Sequence, residues 1–206
     1  MKDYRVYIFD FDGTSFDSGS SMGPVFRAGF EAIGRTCSDE DGLEYMHHSI
    51  QWLAEKEHFE EQIEVFLDAV LKAMETPENL QKVNPFPETR EVFEALRRQG
   101  KKIAIVSGNV SDHIHSILKL HQMEEEIDAV IGCDMIAQQK PAPNGIWLAC
   151  DKLGVKAGSD VIYVGDSSQD IEAARNAGVD EALVDRTGRF AKLDCVKVKT
   201  LKEFIL

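Results

Sequence analysis

The chain has 206 residues, with 36 acidic against 23 basic side chains and a net charge of −13. A hydrophobic share of 43% supports a real core and excludes a wholly disordered chain, while the acidic balance argues against nucleic acid or an anionic membrane as partner. No run reaches the ~18 apolar residues of a membrane span, Met1 to Phe9 lacks a signal-peptide layout, and Cys37, Cys133, Cys150 and Cys195 form no C-x-x-C pair, so reduced thiols in a cytoplasmic protein are expected.

Arg5 to Phe9 is rich in Val, Tyr, Ile and Phe and alternates poorly, which predicts a strand buried on both faces, as in a parallel sheet. From Ser18 to Asn84 no convincing strand occurs. Pro24 sits near the start of a first helix and Gly34 closes it. Leu43, Met46, Ile50 and Leu53 share one helical face. Phe59, Ile63, Phe66, Leu67, Val70, Leu71 and Met74 form a longer apolar stripe, read as the core of a helical insertion rather than a cofactor groove. Arg27, Arg35, Lys56, His47 and His48 on this insertion read as surface groups. Pro85 and Pro87 mark the return.

Strands are then predicted at Lys102 to Val106, Asp128 to Ile131, Val161 to Val164 and Ala182 to Val184. Helices between them are expected at Glu88 to Arg98, Asp112 to Leu120 with Ser111 as N-cap, Ile146 to Leu153 and Gln169 to Asn176. Repeated strand–helix units imply an α/β fold, a doubly wound parallel sheet of Rossmann-like type. Its expected core is 1–17 and 85–206, with an all-helical domain, 18–84, inserted after the first strand.

Ligands of such sheets bind at the carboxyl ends of the strands. There the sequence offers Asp10-Phe11-Asp12-Gly13-Thr14, Ser107-Gly108-Asn109, a loop with Lys140-Pro141, and Gly165-Asp166-Ser167-Ser168-Gln169-Asp170. Several carboxylates close together repel unless a cation joins them, and Lys140 supplies only one positive charge. A hard divalent cation with oxygen ligands, Mg²⁺, is the natural complement, and a phosphorylated substrate completes its shell. Singly, these residues have plain explanations: Asp12-Gly13 as a turn, Asp166 as a helix cap, Asp170 as a partner of a helix dipole. Jointly they do not.

In order and spacing the set resembles the haloacid dehalogenase superfamily, in its phosphatase branch of phosphoglycolate phosphatases and beta-phosphoglucomutases. Asp10 to Thr14 is similar to the first family motif, Ser107 to the second, Lys140-Pro141 to the third, and Asp166 with Asp170 to the fourth. The resemblance implies Asp10 as nucleophile forming an aspartyl-phosphate, and Asp12 as general acid and then base. It implies Mg²⁺ held by Asp10, Asp166 and the main-chain carbonyl of Asp12. Ser107 and the Gly108 amide are implied as phosphate-binding, with Lys140 binding phosphate and offsetting the charge of Asp10. Asp170 is implied to orient Lys140 or a metal-bound water, and Thr14 to hold the loop that aims Asp12. Ser15 departs from the pattern, which usually has an apolar residue there, and so does Asn144-Gly145. The expected activity is a Mg²⁺-dependent phosphomonoesterase acting on a small phosphorylated metabolite as monomer or homodimer, with a phosphosugar mutase as the alternative and a non-enzymatic binding module a distant third.

Overall fold

The computed structural model describes residues 2–45 and 48–205. In chain order its elements are β1 (Val6–Phe9), β2 (Phe16–Asp17), α1 (Gly19–Ala32), α2 (Asp39–Tyr45), α3 (Ile50–Glu57), α4 (Ile63–Met74), α5 (Pro77–Leu80), β3 (Asn84–Pro85), α6 (Thr89–Arg98), β4 (Lys102–Val106), α7 (Ser111–Leu120), β5 (Ala129–Ile131), α8 (Asn144–Lys152), β6 (Val161–Gly165), α9 (Ser168–Ala177), β7 (Asp180–Val184) and β8 (Lys197–Val198), with short 3-10 turns between. The chain forms two compact units, Met1–Asp17 with Pro85–Leu206, and Ser18–Asn84. No helix among the described residues is long and apolar enough to cross a membrane.

The first unit is built on a six-stranded sheet in the order β5-β4-β1-β6-β7-β8. The paired strands run parallel. The chain builds outward from β1 to one side through β4 and β5, then returns to the other side through β6, β7 and β8. This reversal places the switch point of the sheet at the end of β1, where open α/β sheets bind ligands. β1 is buried on both faces because each face has its own cover. Val6 and Ile8 pack with Val106 and Tyr163 against Ile146 and Ala149 of α8 and Ala173 and Ala174 of α9. On the opposite face the Phe9 ring lies 5.0 Å from that of Phe93 on α6 and 6.4 Å from that of Phe204.

β8 was not foreseen; it is a two-residue edge strand, too short to leave a pattern. The helix expected from Asp112 starts at Ser111, and Val110 occupies the cap position. Ser111 is spent elsewhere: its N–H and Oγ donate to the two carboxylate oxygens of Asp134 at 2.7 and 2.6 Å.

The second unit is helical from α1 to α5. Its core is Phe26, Phe30, Leu53, Phe59, Phe66, Val70 and Met74, so the long stripe is indeed a core face, although Leu67 remains exposed. Gly29 admits Phe66: a Cβ there would lie 2.7 Å from Cε2 of that ring. The expected single face from Leu43 to Leu53 is instead broken. α2 ends at Tyr45, and α3 starts afresh after Ser49, whose hydroxyl accepts from the Trp52 N–H. Leu43 is consequently exposed; Met46 and His47 lie outside the described residues. Pro24 falls inside α1 rather than at its start, and Gly34 follows the helix end in the left-handed region at φ +74°. Arg27 pairs with Asp39, Arg35 donates to the carbonyls of Glu57 and His58, and the exposed His48 stacks on Trp52.

Candidate active site

All of the expected site residues belong to the first unit. Asp10 directly follows β1, and its N–H donates to the Val164 carbonyl at 2.8 Å, continuing the β1–β6 ladder by one residue. The chain then turns sharply. The N–H groups of Ser15 and Phe16 both donate to the Phe11 carbonyl, and that of Gly13 to Phe16. Gly13 stands at φ +75°, and a Cβ there would lie 2.5 Å from Asp166 Oδ2. Only a glycine permits both the turn and the close approach of the carboxylate.

Four hydrogen bonds from residues outside the expected set hold this turn. Ser15 Oγ donates to the Asp10 carbonyl at 2.8 Å. The Ser15 carbonyl accepts from Thr89 Oγ1 and from the Phe86 N–H. Arg186 donates to the Thr14 carbonyl at 3.1 Å and to Glu88 at 2.7 Å, with its guanidinium 3.8 Å over the Phe86 ring. The Thr14 hydroxyl, by contrast, is buried with no hydrogen-bond partner among the described residues. Within the loop it is the Ser15 hydroxyl that fastens the turn, at one of the positions where the sequence departs from the expected motif.

Lys140 is the hub of the charges. Its Nζ donates to Asp10 Oδ1 at 2.8 Å and Asp170 Oδ1 at 2.6 Å, with 16% of its side chain exposed. Burial pulls its pKa down, but Asp10 and Asp170 outweigh this and hold it well above the ordinary lysine value. Asp170 is fully buried at the third position of α9. Its Oδ2 accepts from the N–H groups of Asp166 and Ser167 and from Ser167 Oγ, while Oδ1 accepts from Lys140 and lies 3.2 Å from the Tyr163 hydroxyl. Ser167, not Asp166, is the N-cap, and with Asp170 it forms a reciprocal capping box. Burial raises the Asp170 pKa, but Lys140 and the Ser167 donors more than reverse this, so it is held ionised.

The second strand end supplies Ser107, which is buried, and Gly108, which is exposed. Ser107 Oγ lies 3.4 Å from Asp12 Oδ2 and accepts from the Asn109 N–H at 3.1 Å. Asn109 Nδ2 donates to the same Asp12 oxygen at 2.6 Å.

Asp10, Asp166 and Asp170 each offer an oxygen within 4.8 Å of the others. The Asp170 carboxylate is already saturated with donors, so Asp10 and Asp166 are the pair with capacity for a cation. Their electrostatics fit one. Burial drives the Asp10 pKa well up, and the negative charges of Asp170, Asp166 and Asp12 add to this against the pull of Lys140. Burial and the Asp170 charge likewise push Asp166 up to about 6, although Arg189 stands 3.6 Å away. Carboxylates forced toward protonation in this way lack positive charge, and an all-oxygen set of this kind suits a hard divalent ion.

The family model described as haloacid dehalogenase-like hydrolase matches residues 7–184, which include every site residue expected from the sequence. A phosphoglycolate phosphatase of Aquifex aeolicus (strain VF5) is 31% identical over 184 residues, covering 87% of this chain and 84% of that protein. Pyrophosphatase PpaX of Halalkalibacterium halodurans is 35% identical over 102 residues, half of this chain and 47% of its own length. Among solved structures, a haloacid dehalogenase-like hydrolase of Bacteroides fragilis superposes with a TM-score of 0.86 at 27% identity, covering 98% of this chain and all of that one.

Proposed function

Since the chain belongs to the haloacid dehalogenase-like hydrolase family, we propose that it hydrolyses the phosphate monoester of a small metabolite through an aspartyl-phosphate on Asp10. The observation that carries this reading is Lys140 bridging Asp10 and Asp170 at 2.8 and 2.6 Å, with the Asp166 carboxylate packed on the same loop. A carboxylate held at the mouth of a parallel sheet, beside one fixed ammonium and a cation-demanding partner, is arranged to meet a dianion.

Placement and the family resemblance support each role. An Asp10 oxygen attacks phosphorus while the bond from phosphorus to the leaving oxygen breaks, and Asp12 gives that oxygen its proton. Water then attacks the acyl phosphate and Asp12 takes back a proton, releasing inorganic phosphate and restoring Asp10. Ser107 Oγ and the Gly108 N–H hold phosphoryl oxygens. Lys140 keeps Asp10 ionised and offsets charge, and Asp170 keeps Lys140 aimed. The carboxylates of Asp10 and Asp166, with the main-chain carbonyl of Asp12, would hold Mg²⁺, which would supply charge neutralisation at the phosphoryl group. We take 1–17 and 85–206 as the catalytic core and 18–84 as an inserted cap that sets substrate selectivity. The relatives named as phosphoglycolate phosphatases point to a small phosphorylated acid as substrate.

The test is phosphate release from a panel of small phosphate esters, 2-phosphoglycolate included, by wild type and Asp10→Asn. The near-isosteric amide keeps the fold but cannot form the acyl phosphate. Turnover should fall by about 10³-fold or more, the scale on which losing a covalent nucleophile acts. Activity within about tenfold of wild type refutes the assignment.

A further inference from the structure

We propose that Asn109 is a positioning residue for the proton-transferring carboxylate: its Nδ2 hydrogen bond to Asp12 Oδ2, 2.6 Å long, fixes the rotamer of Asp12. The inference rests on the reading of Asp12 given above and extends it to a side chain with no assigned role.

The amide orientation is not arbitrary. The NH₂ end of Asn109 faces Asp12 Oδ2, an oxygen that accepts in the ionised carboxylate that Asp12 becomes once it has given up its proton. The base of the side chain is also fixed. The Asn109 N–H donates to Ser107 Oγ at 3.1 Å, and its carbonyl accepts from the Cys133 N–H at 2.8 Å. Two residues on, Ser111 is tied to Asp134 through both N–H and hydroxyl. A short side chain on an anchored backbone has little freedom left. Ser107 Oγ also lies near Asp12 Oδ2, but at 3.4 Å it is the weaker partner. Asn109 is therefore the stronger of these two restraints, and it reaches across 97 residues of chain to apply it.

The chemical consequence concerns the proton. Oδ1 is buried in this structure, and Asn109 fixes the rotamer in which Asp12 meets the leaving oxygen. Loss of this restraint leaves the acid present but misaimed, and misplacements near 1 Å cost about a hundredfold in such steps.

The test exploits leaving groups. A phenol with a pKa of about 10, like that of a tyrosine side chain, needs its oxygen protonated as it departs, whereas p-nitrophenolate leaves with little help. For wild type, Asn109→Ala and Asn109→Asp, kcat/KM is measured with phenyl phosphate and with p-nitrophenyl phosphate. This parameter covers steps only up to leaving-group departure, so the later water attack does not enter. The ratio of the two values also cancels the fraction of folded enzyme, so a poorly folding variant still gives a reading.

Asn109→Ala should lose about tenfold or more on phenyl phosphate and less than about threefold on p-nitrophenyl phosphate. Asn109→Asp, which keeps the shape but replaces the donor with an acceptor, should show the same selective loss. An unchanged ratio in Asn109→Ala, or a wild-type ratio in Asn109→Asp, overturns the proposal. Asp12→Asn separates the two levels of argument. If Asp12→Asn shows the selective loss and the Asn109 variants do not, only the positioning role fails. If Asp12→Asn shows none, Asp12 is not the acid, and the positioning role falls with it.

Discussion

Replacing Gly165 with alanine would test how the fold delivers Lys140 to Asp10. Gly165 ends β6 and is buried, and the Asp170 side chain lies directly over it. A Cβ at Gly165 would sit 2.3 Å from both Cβ and Cγ of Asp170 and 2.5 Å from its Oδ2, where ordinary contact begins at 3.4 Å, so the side chain must retreat by about 1.1 Å from its base. It has nowhere soft to go, since Oδ2 is held by two amides and a hydroxyl and Oδ1 by Lys140. Overpacking of this kind costs about 1–3 kcal/mol of stability. The larger effect should be on rate: Lys140 follows Asp170, and a displacement near 1 Å at the reacting groups costs about a hundredfold. The assay is phosphate release paired with urea unfolding. Gly158→Ala is the control, because nothing lies within 4 Å of a Cβ there and it should be nearly neutral. Gly165→Ala with wild-type turnover would refute the idea that Asp170 aims Lys140 through a fixed position.

Chelation by EDTA should abolish phosphatase activity and added Mg²⁺ restore it, with Ca²⁺ a poor substitute because its longer, more numerous bonds misplace the phosphoryl group; full activity after rigorous chelation refutes the assignment. Burial raises the Glu88 pKa, but its hydrogen bond from Arg186 more than compensates and holds it below the ordinary value of 4.5. A depressed folded pKa adds stability above the unfolded value that is lost as pH falls through the folded one, so Glu88→Gln should show a shallower acid-side decline below about pH 4.5 in unfolding titrations. In the helical unit, Phe66 is fully buried with the rings of Phe59, Phe30 and Phe26 at 4.7, 5.2 and 6.3 Å. Phe66→Ala should cost that unit about 3–5 kcal/mol, followed by Trp52 fluorescence in a Trp147→Phe background.

The sheet was legible because a strand buried on both faces must be apolar along its length, and β1, β4, β5 and β6 are such runs. The convergence of Asp10, Ser107, Lys140, Asp166 and Asp170 was legible because they sit at or beyond the ends of those runs. What failed was local and cheap to override. Ser111 has the right chemistry for a cap, but Asp134 competes for it. The stripe from Leu43 to Leu53 has the right spacing for one helix, but Ser49 caps a new one. A two-residue strand such as β8 has no pattern to read.

The supports of the site were hidden for a different reason. Motif residues declare themselves by type and order, whereas a residue that positions one declares itself only by proximity. Arg186 reaches Thr14 across 172 residues, and Asn109 reaches Asp12 across 97. Tyr163 carried a faint signal: a phenol inside an otherwise apolar buried strand needs a partner for its hydroxyl, and here Asp170 and the Val106 carbonyl are both within 3.2 Å. Asp170 shows why a plain and a functional reading of one residue need not exclude each other. Its Oδ2 closes the capping box of α9, as an acid near a helix start ordinarily does, while its Oδ1 grips Lys140. The first bond fixes the carboxylate and so gives the second its accuracy. A helix start is thereby turned into a mount for the ammonium that meets Asp10, and the stability of α9 and the aim of Lys140 become properties of the same side chain.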